Sequence, residues 1–206
     1  MPVNSHAISD VSYGKCENSK YVKPKRMFYH QNGQKKIWDV VQCYEVVAVL
    51  VYHRVKKCFL LVKQFRPAVY HASVRADESK QSNPELGFTH ELVAGLIDKE
   101  KPLKTIAVEE VEEEIGYKVS EDSLEKIVVY YAGVGILGNS CHLFYAEVDD
   151  TMKVSDGGGI DTECIEIVEL PVSRAKEFAL SDKIAAPAAL LFAFYWWFDK
   201  FKDRID

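Results

Sequence analysis

A short acidic run in the middle of the chain contains the residues whose types and spacing could do chemistry. Between Glu109 and Glu114, five of the six side chains are carboxylates. Like charges packed this closely repel one another and destabilise a helix unless a cation compensates for them. In a metal site the bound ion is that cation, and it is the largest local charge. The run therefore predicts a divalent metal site, and the alternative is a solvated acidic helix face.

The positions of these carboxylates on a helix favour the metal site. With about 100° of rotation per residue, Glu110, Glu113 and Glu114 share one face, and Glu112 projects clearly away. The apolar residues of the segment point to the same side as that trio: Leu103, Ile106, Ala107 and Val111. Carboxylates directed into a fold carry a large desolvation cost unless they are paired or bind metal. We therefore expect the trio to face a site and Glu112 to be surface charge.

A turn and a helix must hold the acidic run in position. The helix is predicted from Leu103 to Ile115, because Pro102 suits its first turn and Gly116 its end. A strand from Phe88 to Ala94 is predicted to lead toward it. The polar stretch before that strand, Pro67 to Leu86, predicts a long loop, and loops of that length are uncommon unless they are functional.

The remaining pattern predicts one α/β domain with a mixed sheet. Asn32 and Gly33 lie between two strand-like segments and predict a hairpin over residues 26–43. Further strands are predicted at Val46–Tyr52, Cys58–Phe65, Lys126–Tyr131, Cys141–Val148 and Cys164–Leu170, and helices at Val172–Leu180 and Ile184–Phe201. The polar residues 1–25 are expected to form a loosely ordered lead-in, and residues 26–206 a single domain that includes the hairpin.

The acidic run and the turn before it resemble the signature of the Nudix hydrolases. That signature joins a glycine loop to a helix with fixed glutamate positions and a terminal glycine. The residues in register with it are Gly95, Glu110, Val111, Glu113, Glu114, Gly116 and Tyr117. Two positions depart, because Lys101 stands where the family has Glu and Glu109 stands where it has Arg. Loop spacing, helix spacing and terminal glycine agree together, so the match is far more specific than an acidic run alone.

The two departures exchange charges of opposite sign. We hypothesise that Lys101 and Glu109 form a reversed version of a loop-to-helix ion pair. The alternative is independent drift at the two positions. In either case Glu109 adds negative charge one turn from Glu113, where the family usually places a cation.

Other segments resemble the branch of the family that contains UDP-sugar (UDP-glucose) and ADP-ribose pyrophosphatases. They read KQFRPAVY from Lys63, ELVAGLIDK from Glu91 and FYAEV from Phe144. The resemblance implies a Nudix fold, a mixed β-sheet sandwiched between helices, with an N-terminal antiparallel β extension. It implies hydrolysis of a nucleoside diphosphate sugar at the pyrophosphate bond, with UDP-glucose giving UMP and glucose 1-phosphate. The alternatives are an ADP-ribose pyrophosphatase that forms AMP and ribose 5-phosphate, and a non-catalytic module that binds a nucleotide-sugar.

Carboxylate oxygens suit Mg²⁺, with Mn²⁺ as a possible substitute. We expect Glu110 and Glu114 to bind the metal, and Glu113 to contribute directly or through water. The resemblance implies that the Ala94 carbonyl completes the site. It also implies a general base on an acidic loop after the later strands, where a triple glycine precedes two candidate carboxylates. Glu163 is preferred to Asp161 as that base, and the alternative is that both are turn or strand-edge charges.

Four residues are candidates for substrate binding. Arg66 could clamp a phosphate through its planar guanidinium, or it could pair with Glu91. Glu91 could hold the ribose or a distal hydroxyl. Tyr29 and Trp38 lie in the hairpin, through which related enzymes exchange strands and stack the base at a dimer interface. The alternative for both aromatic residues is a place in the core. A homodimer is implied by the resemblance only.

One glycine motif has a misleading pattern. Residues from Gly133 to Gly138 match the dinucleotide-binding sequence GxGxxG, but that site requires a helix immediately afterwards. Here the next residues, CHLFYAEV, predict a strand. We therefore expect no dinucleotide site, and the family resemblance implies a tight loop beside the substrate.

Composition limits the functions available to the chain. Its 206 residues are 48% hydrophobic, which suits one well-buried domain. A formal net charge of −5 disfavours a nucleic-acid partner. Five cysteines without a CxxC pair favour a reducing compartment, and the start of the chain lacks a secretory pattern, so a cytoplasmic location is expected. The apolar run Ile184–Phe198 is too short to span a bilayer, so a buried C-terminal helix and no membrane partner are expected, and the alternative is exposure of this helix to a membrane.

Overall fold

The computed structural model describes residues 8–77, 79, 83–182 and 184–204. The strands in these residues are β1 (Lys23–Gln31), β2 (Gln34–Gln42), β3 (Val46–His53), β4 (Cys58–Phe65), β5 (Phe88–Glu91), β6 (Val93–Leu96), β7 (Glu125–Tyr131), β8 (Ser140–Val148) and β9 (Glu166–Pro171). The α-helices are α1 (Pro67–Ala76), α2 (Leu103–Ile115), α3 (Val172–Ala179) and α4 (Ala188–Lys200). This arrangement confirms the predicted α/β class. The first seven residues of the predicted lead-in lie outside the described residues, and β1 begins three residues before the predicted boundary at Arg26.

The main sheet is mixed. Its central path runs β5-β4-β3-β8-β7, with β6 also paired to β3 and β9 to β4. The pair formed by β3 and β8 is parallel, and the other pairs are antiparallel. The single strand predicted over residues 88–94 is instead two short strands, because the chain leaves β4 at Glu91 and joins β3 from Val93. By changing partner, the segment from β5 to β6 connects β4 to β3 where these two strands no longer pair with each other.

Two apolar cores cover the two faces of β3. Side chains of a strand alternate between faces, so Val47, Val49 and Val51 pack with the apolar side of α2. The intervening residues Leu50 and Tyr52 pack with α4. Burying an aliphatic or aromatic side chain of this size contributes about 1.5–3 kcal/mol, so both layers stabilise the sheet. The predicted sandwich of a sheet between helices is confirmed.

The predicted N-terminal hairpin is also confirmed. Strands β1 and β2 pair antiparallel from Lys23 and Gln42 to Gln31 and Gln34. Asn32 and Gly33 both have positive φ, 52° and 76°, as the tight two-residue turn between such strands requires.

The Gly133–Gly138 segment forms a turn that contacts this hairpin. The backbone N–H of Val41 donates to the carbonyl of Ile136 at 2.9 Å, and the indole Nε1 of Trp38 donates to the carbonyl of Gly135 at 2.7 Å. Strand β8 follows the turn. The prediction that this glycine motif opens no helix is confirmed.

The predicted loop from Pro67 to Leu86 is wrong for its first half. Helix α1 begins at Pro67, a residue whose fixed φ suits the first helical position. Tyr70 and Val74 are buried four residues apart on one side of this helix. Residues 78 and 80–82 lie outside the described residues, and Pro84–Gly87 forms a short 3₁₀ turn.

The C-terminal helix α4 is shorter than predicted. It begins at Ala188, immediately after Pro187, which cannot donate the hydrogen bond that a longer helix would need. Its buried side carries Leu190, Phe194 and Trp197. No helix in the described part of the chain combines the length and apolar character needed to cross a bilayer.

Candidate active site

One cleft of about 560 Å³ brings together most of the predicted site residues. Its volume lies within the range of small-molecule sites, roughly 300–1,000 Å³. The predicted residues that line it are Arg66, Ala94, Glu110, Glu113, Glu114, Asp161 and Glu163. We refer to it as the acidic cleft. It lies where the β6 turn, helix α2 and the loop before β9 meet.

Helix α2 presents its carboxylates as the helical spacing predicts. Glu114 is buried, with 4% of its surface exposed. Glu110 and Glu113 are partly buried in the cleft, and Glu112 is exposed. A Cβ atom at Gly95 would lie 2.0 Å from Oε1 of Glu110, so the turn needs glycine to leave room for that carboxylate. The solvated-face alternative is therefore wrong for the trio and correct for Glu112.

Burial and crowding change the proton affinity of two of these carboxylates. Oε2 of Glu114 accepts a hydrogen bond from the backbone N–H of Ala94 at 3.0 Å. Burial raises the pKa of Glu114 to about 9 despite that bond, and the charges of Glu110 and Glu163 add to the increase. Burial and the charges of Glu113 and Glu163 raise the pKa of Glu110 to about 7. A cation in the cleft would reverse this effect, since it favours the ionised carboxylates.

The donor atoms of the cleft fit a hard divalent cation. Within the residues that the structure describes, no three His, Cys, Asp or Glu side chains form a group able to hold a metal ion by themselves. Mg²⁺ commonly takes one or two protein carboxylates and completes its coordination with water and substrate phosphate. Glu110 and Glu114 offer such an open carboxylate pair. The residues therefore suit Mg²⁺ bound together with substrate better than a closed structural metal site.

The triple glycine places the candidate base beside α2. The backbone N–H groups of Gly158 and Gly159 donate to the carbonyls of Glu114 and Glu113, at 2.9 and 3.0 Å. These bonds satisfy carbonyls at the end of α2 that lack a partner within the helix. The three glycines have φ values of 67°, 101° and 87°, a region that other residues adopt with strain.

Glu163 and Asp161 both line the acidic cleft. Oε2 of Glu163 accepts a hydrogen bond from the backbone N–H of Ile160 at 3.0 Å. Asp161 lies in the same turn with a positive φ of 52°. Both residues are exposed in the turn segment before β9, so the alternative that they are turn charges stays open, and their catalytic roles stay predictions.

Arg66 pairs with Glu91. Its Nε and Nη2 groups donate to the two carboxylate oxygens of Glu91 at 2.7 and 2.6 Å, and Thr89 Oγ1 also donates to Glu91. Burial alone would raise the pKa of Glu91, but the hydrogen bonds and charge of Arg66 outweigh it and lower that pKa. Of the two predicted alternatives for Arg66, the structure shows the ion pair, and Arg66 still lines the cleft.

The reversed loop-to-helix ion pair is present. Nζ of Lys101 lies 2.6 Å from Oε1 of Glu109. The loop before it is also attached to the sheet, because the N–H of Ile97 donates to the carbonyl of Glu45 at 2.9 Å. The two departures from the family signature thus compensate each other in the structure.

The aromatic residues considered for base binding lie either in the N-terminal hairpin or at the acidic cleft. Neither Tyr29 nor Trp38 is among the described residues that line the acidic cleft, because both lie in the hairpin. Tyr21, which the sequence reasoning assigned to the lead-in, does line the cleft and is half exposed. In the sequence, the only indication that Tyr21 could have such a place is that it is an aromatic residue within a polar segment.

Comparison with known proteins is consistent with this architecture. A mixed sheet between helices, with a glycine turn and a carboxylate helix facing one cleft, defines a Nudix-type hydrolase. None of the protein-family models compared with the sequence matches it. The chain is 35% identical to the uridine diphosphate glucose pyrophosphatase NUDT14 of Bos taurus over an alignment of 209 positions that covers 93% of this chain and 94% of that protein. The chain belongs to the Nudix hydrolase family.

Two further relatives cover most of the chain. The Mus musculus uridine diphosphate glucose pyrophosphatase NUDT14 is 32% identical over an alignment of 211 positions that covers 94% of this chain and 95% of the relative. A GDP-mannose pyrophosphatase from Salmonella arizonae is 35% identical over 183 residues, or 88% of this chain and 82% of the relative. These relatives share the family and differ in the nucleotide-sugar that each name gives.

Proposed function

We propose that this chain hydrolyses the pyrophosphate bond of a nucleoside diphosphate sugar, with UDP-glucose giving UMP and glucose 1-phosphate. The observation that carries the proposal is the acidic cleft, which brings the α2 carboxylates, Arg66 and Glu163 together. The names of the relatives support the substrate class, since two that align over nearly the whole chain are UDP-glucose pyrophosphatases.

Mg²⁺ is the proposed cofactor, and Mn²⁺ is a possible substitute. Glu110 and Glu114 would hold it, with Glu113 contributing directly or through water and the Ala94 carbonyl completing the set. When bound, such an ion neutralises charge on the diphosphate and lowers the pKa of a bound water molecule. Gly95 leaves room for the Glu110 carboxylate, and the Ala94 N–H fixes the Glu114 carboxylate.

The proposed reaction is attack of water on one phosphorus atom of the diphosphate. Glu163 accepts the proton of that water, and the bond from phosphorus to the bridging oxygen breaks. The bridging oxygen leaves with the other phosphate, which yields a nucleoside monophosphate and a sugar 1-phosphate. The hydrogen bonds of Gly158 and Gly159 to the end of α2 hold the loop that carries Glu163 beside the cleft.

We propose that Tyr21 stacks on the base, because its half-exposed ring lies at the cleft. Base stacking on an aromatic side chain contributes about 1–3 kcal/mol. Tyr29 and Trp38 would add to base binding through a homodimer, in which the hairpin of one copy reaches the cleft of the other.

The exposed hairpin supports the homodimer proposal. Phe28 and Ile37 lie directly opposite each other and are 71% and 57% exposed. A second copy would bury them. Sedimentation analysis should show a dimer for the natural chain and a shift toward monomer for Phe28→Ser/Ile37→Ser. A natural chain that stays monomeric at all concentrations contradicts this part of the proposal.

A cytoplasmic location is also proposed. Its support is the small, odd number of cysteines, five in the chain, which suits a reducing compartment. Fluorescence of a tagged chain in cells would test it.

A substrate panel tests the proposed activity. UDP-glucose, GDP-mannose and ADP-ribose are each incubated with the enzyme in Mg²⁺ and in a chelator, and products are identified by chromatography. We expect hydrolysis of a nucleotide-sugar in Mg²⁺ only, and a loss of roughly 10³-fold with Glu114→Gln. Faster turnover of ADP-ribose would favour the first alternative. Tight binding of a nucleotide-sugar without turnover would favour the non-catalytic module.

A further inference from the structure

The acidic cleft has few positive charges for a site that binds a diphosphate. Its carboxylates are Asp98, Glu110, Glu113, Glu114, Asp161 and Glu163, and its basic side chains are Arg66 and Lys99. A substrate that brings further negative charge must be compensated locally, since repulsion is strong in a partly desolvated site. The two basic residues are therefore the protein groups able to meet the phosphates directly.

Arg66 and Lys99 differ in whether their side chains already have hydrogen-bond or ion-pair partners. Arg66 has committed its Nε and Nη2 groups to Glu91. The Lys99 ammonium has no hydrogen-bond or ion-pair partner among the residues that the structure describes. It is nevertheless close to the α2 carboxylates: burial raises the pKa of Glu110, and the charge of Lys99 partly offsets that increase. Lys99 is thus a cation at the cleft that still lacks an anionic partner.

The loop around Lys99 is fixed on both sides. Before it, the N–H of Ile97 donates to the carbonyl of Glu45 at 2.9 Å. After it, the N–H of Lys101 donates to the carbonyl of Lys99 at 2.9 Å, and the Lys101 side chain pairs with Glu109. These contacts keep the backbone of residue 99 at the cleft while its side chain stays exposed.

We propose that Lys99 binds the diphosphate of the substrate directly, as the phosphate-binding cation that this chain places in its glycine loop. The inference rests on the proposed function for the substrate class. An ammonium group is a compact charge with three donors and can follow a phosphate as its geometry changes. The reversed ion pair has a consequence here, because Lys101 is engaged with Glu109 and Lys99 is the loop lysine left for substrate.

Kinetics of matched lysine variants test the role of Lys99. The variants are Lys99→Met, Lys99→Arg and the control Lys126→Met, which removes the same charge from an exposed strand position outside the cleft. We expect kcat/KM for UDP-glucose to fall about 10- to 100-fold in Lys99→Met, the size expected for a hydrogen bond to a charged group. Lys99→Arg should lose only a few-fold, and Lys126→Met should match the natural chain. Equal kcat/KM in Lys99→Met and Lys126→Met would overturn the proposal.

A binding measurement separates phosphate recognition from a structural effect. Calorimetry or competition should show that Lys99→Met weakens UDP binding about tenfold while uridine binding is unchanged, because uridine has no phosphate. Equal weakening of both ligands, or unchanged UDP affinity, would contradict a phosphate contact. If the natural chain hydrolyses no member of the panel, the proposed function fails, but the comparison of UDP with uridine still decides the role of Lys99.

Discussion

The α2 region and the N-terminal hairpin differ in how far their side chains and backbone groups find partners within a single copy of the chain. In the α2 region several polar groups find partners within the same copy, as when Glu114 accepts from Ala94 and the Gly157–Gly159 loop caps the helix end. In the hairpin, Phe28 and Ile37 leave most of their apolar surface exposed. Exposed apolar groups of this size at one place commonly mark an interaction surface.

This difference suggests that the groups for the chemical step are positioned by local structure, whereas some groups for substrate recognition are positioned by contacts with another surface. The groups proposed for catalysis depend on spacing within one helix and two adjoining loops. The hairpin aromatic residues depend on which surface they meet, whereas Tyr21, which precedes the hairpin, lines the cleft of its own chain. Substitutions of the proposed catalytic carboxylates should therefore act on turnover, and substitutions in the hairpin on substrate affinity.

The largest effect is expected from Glu114→Gln. The amide has nearly the same shape and can still accept the Ala94 hydrogen bond, but it removes the charge proposed to hold the metal ion. Turnover of UDP-glucose should fall roughly 10³-fold, the scale on which a fixed electrostatic group in an active site acts. Steady-state kinetics in Mg²⁺ would measure it.

The melting temperature provides the control for Glu114→Gln. An uncharged side chain avoids the desolvation cost of a buried carboxylate, so the variant should be at least as stable as the natural chain. Turnover within threefold of the natural value would exclude Glu114 from the metal site and would weaken the contrast between the two regions.

A smaller loss should distinguish Glu163 from Asp161. Glu163→Gln removes the proposed base and should lower kcat about 10²-fold, within the range for general base catalysis. Asp161→Asn changes a neighbour in the same turn and should lower kcat by less than about fivefold if its charge acts only on the local field. Unchanged turnover in both variants would show that neither residue is the general base and would favour a carboxylate of α2 in that role.

The sequence predicted the α2 region well because helical geometry fixes direction from spacing alone. The burial of Glu114 and the exposure of Glu112 follow from their angular positions. The ion pair of Lys101 and Glu109 followed from charge reversal at two positions. In each case the relevant partners lie within one turn or one adjoining loop.

The sequence was less informative where the outcome depends on distant partners. The start of α1 was missed because a polar segment follows it, although Pro67 and the pair Tyr70 and Val74 carry a helical signal. Whether Arg66 meets a phosphate or Glu91 could not be decided, because Glu91 comes into reach only through the pairing of β4 with β5. Tyr21 reaches the cleft through a segment without periodicity.

Tyr21→Ala tests the recognition side of the comparison. Loss of one stacking contact, worth about 1–3 kcal/mol, should raise KM for UDP-glucose about tenfold while kcat stays within threefold. Tyr21→Phe keeps the ring and should behave like the natural chain. A fall in kcat with unchanged KM would assign Tyr21 to the chemical step instead, and the division between the two regions would not hold.

The smallest effect is expected at the reversed ion pair, which is partly exposed to solvent. Lys101→Glu places two acids side by side, and Glu109→Arg places two bases side by side. Exposed pairs contribute about 0.2–1 kcal/mol, so each single variant should lose up to about fivefold in kcat/KM. The double variant restores opposite charges in the order that the family signature has, and its kcat/KM should return to within about twofold of the natural chain.

Glu112→Arg is the matched control for this cycle, because it makes the same charge change on the exposed side of α2. It should leave kcat/KM unchanged. If the losses of Lys101→Glu and Glu109→Arg simply add in the double variant, the two residues do not act as a pair in solution. The backbone hydrogen bonds of Ile97 with Glu45 and of Lys101 with Lys99 would then hold the glycine loop without the ion pair, and Lys99→Met should lose the same factor in the double variant as in the natural chain. Recovery of kcat/KM in the double variant would instead show that the ion pair between residues 101 and 109 helps to position the glycine loop. The position of Lys99 at the cleft would then depend on that ion pair.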